Sequence, residues 1–124
     1  MKFALVHSNI NVTDLEKSLE FYKKALGMEP VRRHKAADGS FELAFIEEAD
    51  GANKHQIELT WLRDKEGAYD LGDNESHIAF TAENITEAHG LHEKMGCICY
   101  ENKDMGLYFI EDPDGYWIEI LPAR

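Results

Sequence analysis

Two histidines and two glutamates are the residues of this chain whose types and placement could do chemistry: His7, Glu58, His77 and Glu119. Glu119 lies in the run Trp117-Ile118-Glu119-Ile120-Leu121, and Glu58 in Ile57-Glu58-Leu59. Side chains alternate across a strand, so each carboxylate falls on the opposite face from its branched apolar neighbours. An ionised group that turned into a packed interior would cost several kcal/mol unless paired or bound to a metal. A lone strand glutamate most simply faces water. Here, however, the pattern occurs twice. Phe45-Ile46-Glu47-Glu48-Ala49-Asp50-Gly51 precedes Ile57-Glu58-Leu59, and Phe109-Ile110-Glu111-Asp112-Pro113-Asp114-Gly115 precedes Ile118-Glu119-Ile120. A carboxylate at matching places in an internal repeat points to a shared task rather than to a solvated face alone.

The histidines obey the same repeat. His7 opens the first half and His77 the second, while Glu58 and Glu119 close them. If the two copies pack about a pseudo-twofold axis, these positions converge as a His₂Glu₂ cluster. Imidazole and carboxylate together suit a divalent ion such as Ni, Zn, Co or Fe, with positions left open for water or substrate. Two glutamates nearly cancel the charge of that ion.

The elements that must position these four residues can be read in order. Residues 3–12 are expected to form a first strand, with Phe3, Leu5, His7 and Asn9 on one face. Thr13-Asp14-Leu15-Glu16 matches a capping box, with the threonine hydroxyl as cap. Leu15, Leu19, Tyr22 and Leu26 recur at helical spacing, and Gly27 closes that helix. Strands are expected over 30–35, 41–47 and 55–62, and the polar, glycine-containing segment 63–74 reads as a linker. The second half then starts over. A strand opens at His77, Asn84-Ile85-Thr86-Glu87 caps a helix striped by Ile85, Ala88, Leu91 and Met95, and Gly96 ends it. Strands follow over 97–100, 106–111 and 117–121. Asp112-Pro113-Asp114-Gly115 supplies the turn before the last of them. Each half therefore runs βαβββ: an α+β chain with one module over 1–62 and a second over 75–124, together a single domain over 1–124.

Composition narrows the partners. A chain of 124 residues, 44% hydrophobic, can build one modest domain. A formal net charge of −11 argues against nucleic acid or an anionic membrane surface, both of which need a basic face. No apolar run approaches the length of a membrane span. The stretch after Lys2 is too short for a signal peptide, so the cytoplasm is the expected location. Cys97 and Cys99, two apart on a strand, are expected as reduced structural thiols. His34, His55, His89 and His92 lack repeat counterparts, and the last three are expected at the surface. The acidic run Glu47-Glu48-Ala49-Asp50 is expected to be solvated. No phosphate-cradling loop, nucleophile elbow or dinucleotide fingerprint is present.

These residues resemble glyoxalase I, in the vicinal-oxygen-chelate superfamily, over nearly the whole chain. The resemblance is carried by the strand through His7, Asp14-Leu15-Glu16-Lys17-Ser18 with Phe21-Tyr22 and Leu26-Gly27-Met28, Ile57-Glu58-Leu59-Thr60, His77-Ile78-Ala79, and, most specifically, Glu111-Asp112-Pro113-Asp114-Gly115-Tyr116 with Ile118-Glu119. It implies that His7, Glu58, His77 and Glu119 hold one divalent ion per site. Ni²⁺ or Co²⁺ is favoured in the short bacterial branch, and Zn²⁺ is the other choice. It also implies a homodimer with each site shared between chains, and Glu119 as the base with Glu58 as ligand and second base.

The implied reaction converts the hemithioacetal of methylglyoxal and a thiol to an S-2-hydroxyacyl thiol through an enediolate. Glutathione-using members carry arginine where Asn11 stands and asparagine where Leu62 stands, and the loop from Glu101 to Gly106 is shorter than theirs. The thiol is accordingly left open between glutathione and another small thiol. The alternatives are a related metal-dependent epimerase, which resemblance would give Gln in place of Glu58, and a metal-free resistance module that sequesters a small molecule.

Overall fold

The protein is described from a computed structural model that covers residues 1–51 and 53–123. In chain order the described residues form β1 (His7–Val12), α1 (Leu15–Leu26), β2 (Met28–Lys35), β3 (Phe41–Glu48), β4 (Gln56–Leu62), β5 (Ile78–Ala82), α2 (Ile85–Met95), β6 (Ile98–Asn102), β7 (Leu107–Glu111) and β8 (Trp117–Pro122). This is βαβββ twice over, as the repeat predicts. The chain divides into two compact units, Met1–Tyr69 and Asp70–Arg124.

Each unit carries one four-stranded sheet of the same topology. The first has the order β1-β4-β3-β2 and the second β5-β8-β7-β6. In both, the first strand lies parallel to the last, and the three later strands form an antiparallel meander. The glutamate-bearing strand is therefore internal, and the edge strand beside it begins at His7 in the first unit and directly after His77 in the second, where the strand expected to open at His77 starts at Ile78. A one-residue bulge interrupts the outermost pairing at the same place in each copy, between Pro30 and Arg32 and between Ile98 and Tyr100. Shared irregularities of this kind are fold features rather than defects.

In the first unit, α1 contributes Leu15, Ser18, Leu19, Tyr22 and Ala25 to the interior, and the strands contribute Ala44, Ile46, Ile57 and Leu59. The helix cap is Asp14, whose carboxylate accepts from the Lys17 backbone N–H at 3.1 Å. The expected Thr13 cap is thus displaced by one residue, because Asp14 has the extended backbone a cap requires. Gly27 ends the helix with a left-handed φ of 66°.

The second unit repeats the capping: the Asn84 side-chain oxygen accepts from the Glu87 N–H at 3.0 Å, and Gly96 closes with φ 68°. Its helix, however, packs differently from the expected stripe. Leu91 is 40% exposed, and the buried residue of α2 is His92, at 2%. His92 is thus no surface residue: its Nδ1 is 2.7 Å from the Tyr108 hydroxyl, and that bond compensates the burial of an imidazole.

Three further expectations are corrected. The first strand begins at His7 rather than Phe3. The partner strand β4 starts at Gln56, opposite His7, so upstream of the Gln56 N–H to Val6 carbonyl bond no ladder partner remains. Phe3 and Leu5 are exposed. His55 is half-buried, within 3.0 Å of the Ser8 hydroxyl. The acidic run is not simply solvated, since Glu47 accepts from the Gln56 amide at 2.6 Å and Glu48 accepts from the Asn53 N–H at 2.8 Å.

Candidate metal centre

The register puts the four singled-out residues into two matching pairs. In the first unit Glu58 is the cross-strand partner of Asn9 on one side and of Phe45 on the other, and His7 lies two residues before Asn9 on the same face. In the second unit Glu119 pairs with Ala79 and Phe109, with His77 two residues before Ala79. The opposite face in each case is the packed one: Ile57 and Leu59, or Ile118 and Ile120, are at most 3% exposed. Alternation along β4 and β8 therefore delivers both carboxylates to the face away from the helix.

Distances confirm the equivalence. His7 Nε2 is 3.9 Å from Glu58 Oε1, and His77 Nε2 is 3.5 Å from Glu119 Oε1. Side-chain exposure also matches, 37% and 18% in one pair against 38% and 19% in the other, so each pair is reachable from solvent. Both separations are too long for good hydrogen bonds. They suit two donors of one ion, since ligand atoms each about 2.0–2.2 Å from a common metal lie roughly 3–4 Å apart.

An aromatic ring braces each histidine. The His7 ring meets Phe45 edge-on at 5.4 Å, and the His77 ring meets Phe109 at 5.2 Å. His77 has a second constraint, its Nδ1 lying 3.3 Å from the Glu75 carbonyl. A carbonyl can only accept, so this contact places the proton on Nδ1 and leaves Nε2 free as a ligand. Within each unit the donor set stops at two. Among the described residues no three His, Cys, Asp or Glu side chains gather to hold a metal.

The surroundings of the two pairs differ. Arg32 sits with its guanidinium 4.0 Å over the Phe45 ring. Its register equivalent is Tyr100, which stacks on Trp117 at 6.2 Å and meets Phe109 at 6.1 Å. Sequence reasoning overlooked these residues, although Phe45 and Phe109 open the repeated Phe-Ile-Glu runs. It also overlooked Asn9 as a partner of Glu58.

The hairpin that carries Glu119 is fixed by its own turn. The buried Asp112 carboxylate accepts from the N–H groups of Asp114, at 2.9 Å, and Tyr116, at 3.0 Å. Gly115, at φ 91°, donates its N–H to the Asp112 carbonyl. Only glycine takes that backbone conformation without strain. The cysteines are free and half-buried. Burial, with the Glu111 carboxylate as a lesser cause, pushes the Cys99 thiol up to about 11.

Two tandem βαβββ units, each presenting an open face with a histidine and a glutamate, define a class. The chain belongs to the Glyoxalase/Bleomycin resistance protein/Dioxygenase superfamily, which it matches over residues 4–120. Its fold is the vicinal-oxygen-chelate fold. Among curated relatives, it is 38% identical to the lactoylglutathione lyase of Neisseria meningitidis serogroup A, covering 97% of this chain and 91% of that protein. It is 39% identical to a probable lactoylglutathione lyase of Synechocystis, covering 94% and 93%. Among solved structures it is similar to the trypanothione-dependent glyoxalase I of Leishmania major. That match has a TM-score of 0.84 and 29% identity, covering 98% of this chain and 87% of that one.

Proposed function

We propose that this chain is a metal-dependent isomerase of the lactoylglutathione lyase type, acting on the hemithioacetal of methylglyoxal and a small thiol in the cytoplasm. The observation that carries the proposal is the duplicated pair of donors, His7 with Glu58 and His77 with Glu119, at separations that suit a shared ion. Similarity to proteins named lactoylglutathione lyase over more than nine-tenths of both chains supports the same reading. A metal-free binding module has no use for four such donors.

The four residues would hold one divalent ion, Ni²⁺ or Co²⁺ in preference to Zn²⁺. When bound, it polarises the neighbouring oxygens of the adduct, making the adjacent carbon-bound proton acidic. Glu119 takes that proton from the carbon bearing sulfur and hydroxyl, and returns it to the adjacent carbonyl carbon. The carbon–sulfur bond survives. The hydroxyl of the first carbon gives up its proton as it becomes the thioester carbonyl, and the oxygen of the second carbon takes up a proton to become the new hydroxyl. Glu58 serves mainly as a ligand. Because each unit supplies only two donors, we propose a homodimer whose centres combine His7 and Glu58 of one chain with His77 and Glu119 of the other.

The test is isomerisation of methylglyoxal hemithioacetals made with glutathione and, separately, with other small thiols. Protein stripped of metal should be inactive and regain turnover with Ni²⁺ or Co²⁺. Reloaded protein that binds metal but turns over no adduct would refute the reaction. Protein that takes up no divalent ion would refute the centre.

A further inference from the structure

The two glutamates are held unequally. The Asn9 side-chain amide donates to Glu58 Oε1 at 2.9 Å and to the Thr60 hydroxyl at 2.7 Å, with the Glu58 carbonyl a further 3.3 Å contact. An amide has two N–H bonds, so both short contacts are satisfied together and the side chain is pinned between two points of β4. The carboxylate oxygen it grips is the one that faces His7 Nε2.

In the second unit the same register positions hold Ala79 and Leu121, neither of which has a side-chain donor. Among the described residues, the side-chain contact recorded for the Glu119 carboxylate is His77 alone.

We propose that Asn9 is a positioning residue that holds Glu58 Oε1 toward His7 Nε2 as a metal ligand. The inference rests on the isomerase reading above and adds a residue that orients one of its ligands. A carboxylate oxygen has a second lone pair available when one is engaged by an N–H, so the Asn9 bond is compatible with ligation. Outer partners of this kind typically contribute 10–100-fold to metal affinity.

The test replaces Asn9 with leucine, which keeps the size and removes the donor, and with aspartate, which removes the donor and adds repulsion. Metal affinity is read by competition with a chelating dye, alongside kcat at saturating metal and the melting temperature of the stripped protein. Asn9→Leu should weaken Ni²⁺ binding about 10–100-fold, with kcat at saturating metal falling far less and the stripped protein melting where wild type does. Asn9→Asp should weaken binding more. A dissociation constant within twofold of wild type for Asn9→Leu overturns the positioning role, as does a loss matched by an equal drop in stripped-protein stability. If wild type binds metal yet converts no hemithioacetal, the reaction assigned above fails and the affinity comparison still decides the role of Asn9. If wild type binds no metal, both fall.

Discussion

The two units share a topology, a bulge, a capping pattern and a pair of donors, yet they are built from different interiors. In the first, α1 seats five buried residues against its sheet, with Tyr22 fully covered. In the second, α2 buries one, a histidine hydrogen-bonded to Tyr108. The donor pairs nevertheless agree within 0.4 Å in separation, 3.9 against 3.5 Å, and closely in exposure. What the repeat has kept is the face that carries the histidine–glutamate pairs. The packed face has diverged wherever an alternative fills the space, since cores tolerate exchange when volume and patterning are maintained.

On the face that carries these pairs the difference is smaller and more telling. Glu58 is gripped by Asn9 and Glu119 is not. The largest expected effect concerns the two carboxylates themselves. Glu119→Gln keeps an oxygen donor of the same size but lacks the basic carboxylate, so turnover should fall about 10²–10⁴-fold while metal is retained more weakly. Glu58→Gln should cost less in kcat and more in metal affinity. Stopped assays with metal content measured on the same samples would check this, and equal losses from both substitutions would erase the distinction.

Next comes the contrast in packing. Tyr22→Ala should lower stability by about 3–5 kcal/mol, as truncation of a large buried aromatic does. Leu91→Ala, at the expected but exposed stripe position of α2, should stay within about 0.5 kcal/mol. Chemical denaturation measures both.

Which parts could be read from sequence follows the same division. The pairing of each histidine with a glutamate on one sheet face, both strand-helix-strand orders and the Asp112-Pro113-Asp114-Gly115 turn were legible because each depends on local chemistry and on a repeat that can be laid against itself. The beginning of β1 was not, since it is set by where β4 starts, a long-range pairing. Periodicity placed Leu91 inward and left His92 outside, because no local pattern reveals that the hydroxyl of Tyr108 waits across the interior. Asn9 escaped for a similar reason. Its meaning lies in being opposite Glu58, and only the register shows that.

A smaller effect tests whether the second unit can be made to resemble the first. Ala79→Asn places an amide opposite Glu119, at an exposed position. It should slow turnover at saturating metal by less than Glu119→Gln does, with metal binding kept or tightened. Unchanged kcat with tightened metal would separate restraint from catalysis.

The smallest concerns the shared bulge, where Val31 and Cys99 are the inserted residues. Cys99→Val should change stability by less than about 1.5 kcal/mol, as near-isosteric exchanges do. With its thiol pushed up to about 11, Cys99 stays protonated at neutral pH. Alkylation there should be slow and should accelerate only as pH climbs toward that value.

The central claim, that each centre takes one pair of donors from each of two chains, is tested most directly by complementation. His7→Ala and His77→Ala chains, each inactive alone, are co-expressed with different tags and the mixed dimer is isolated. One of its two centres then carries both substitutions, and the other carries none. The mixed dimer should recover roughly half of wild-type activity, one intact centre out of two in a closed twofold pair, and bind one metal ion tightly. A mixed dimer as inactive as its parents would contradict the account, because donors drawn from a single chain leave no intact centre in either partner.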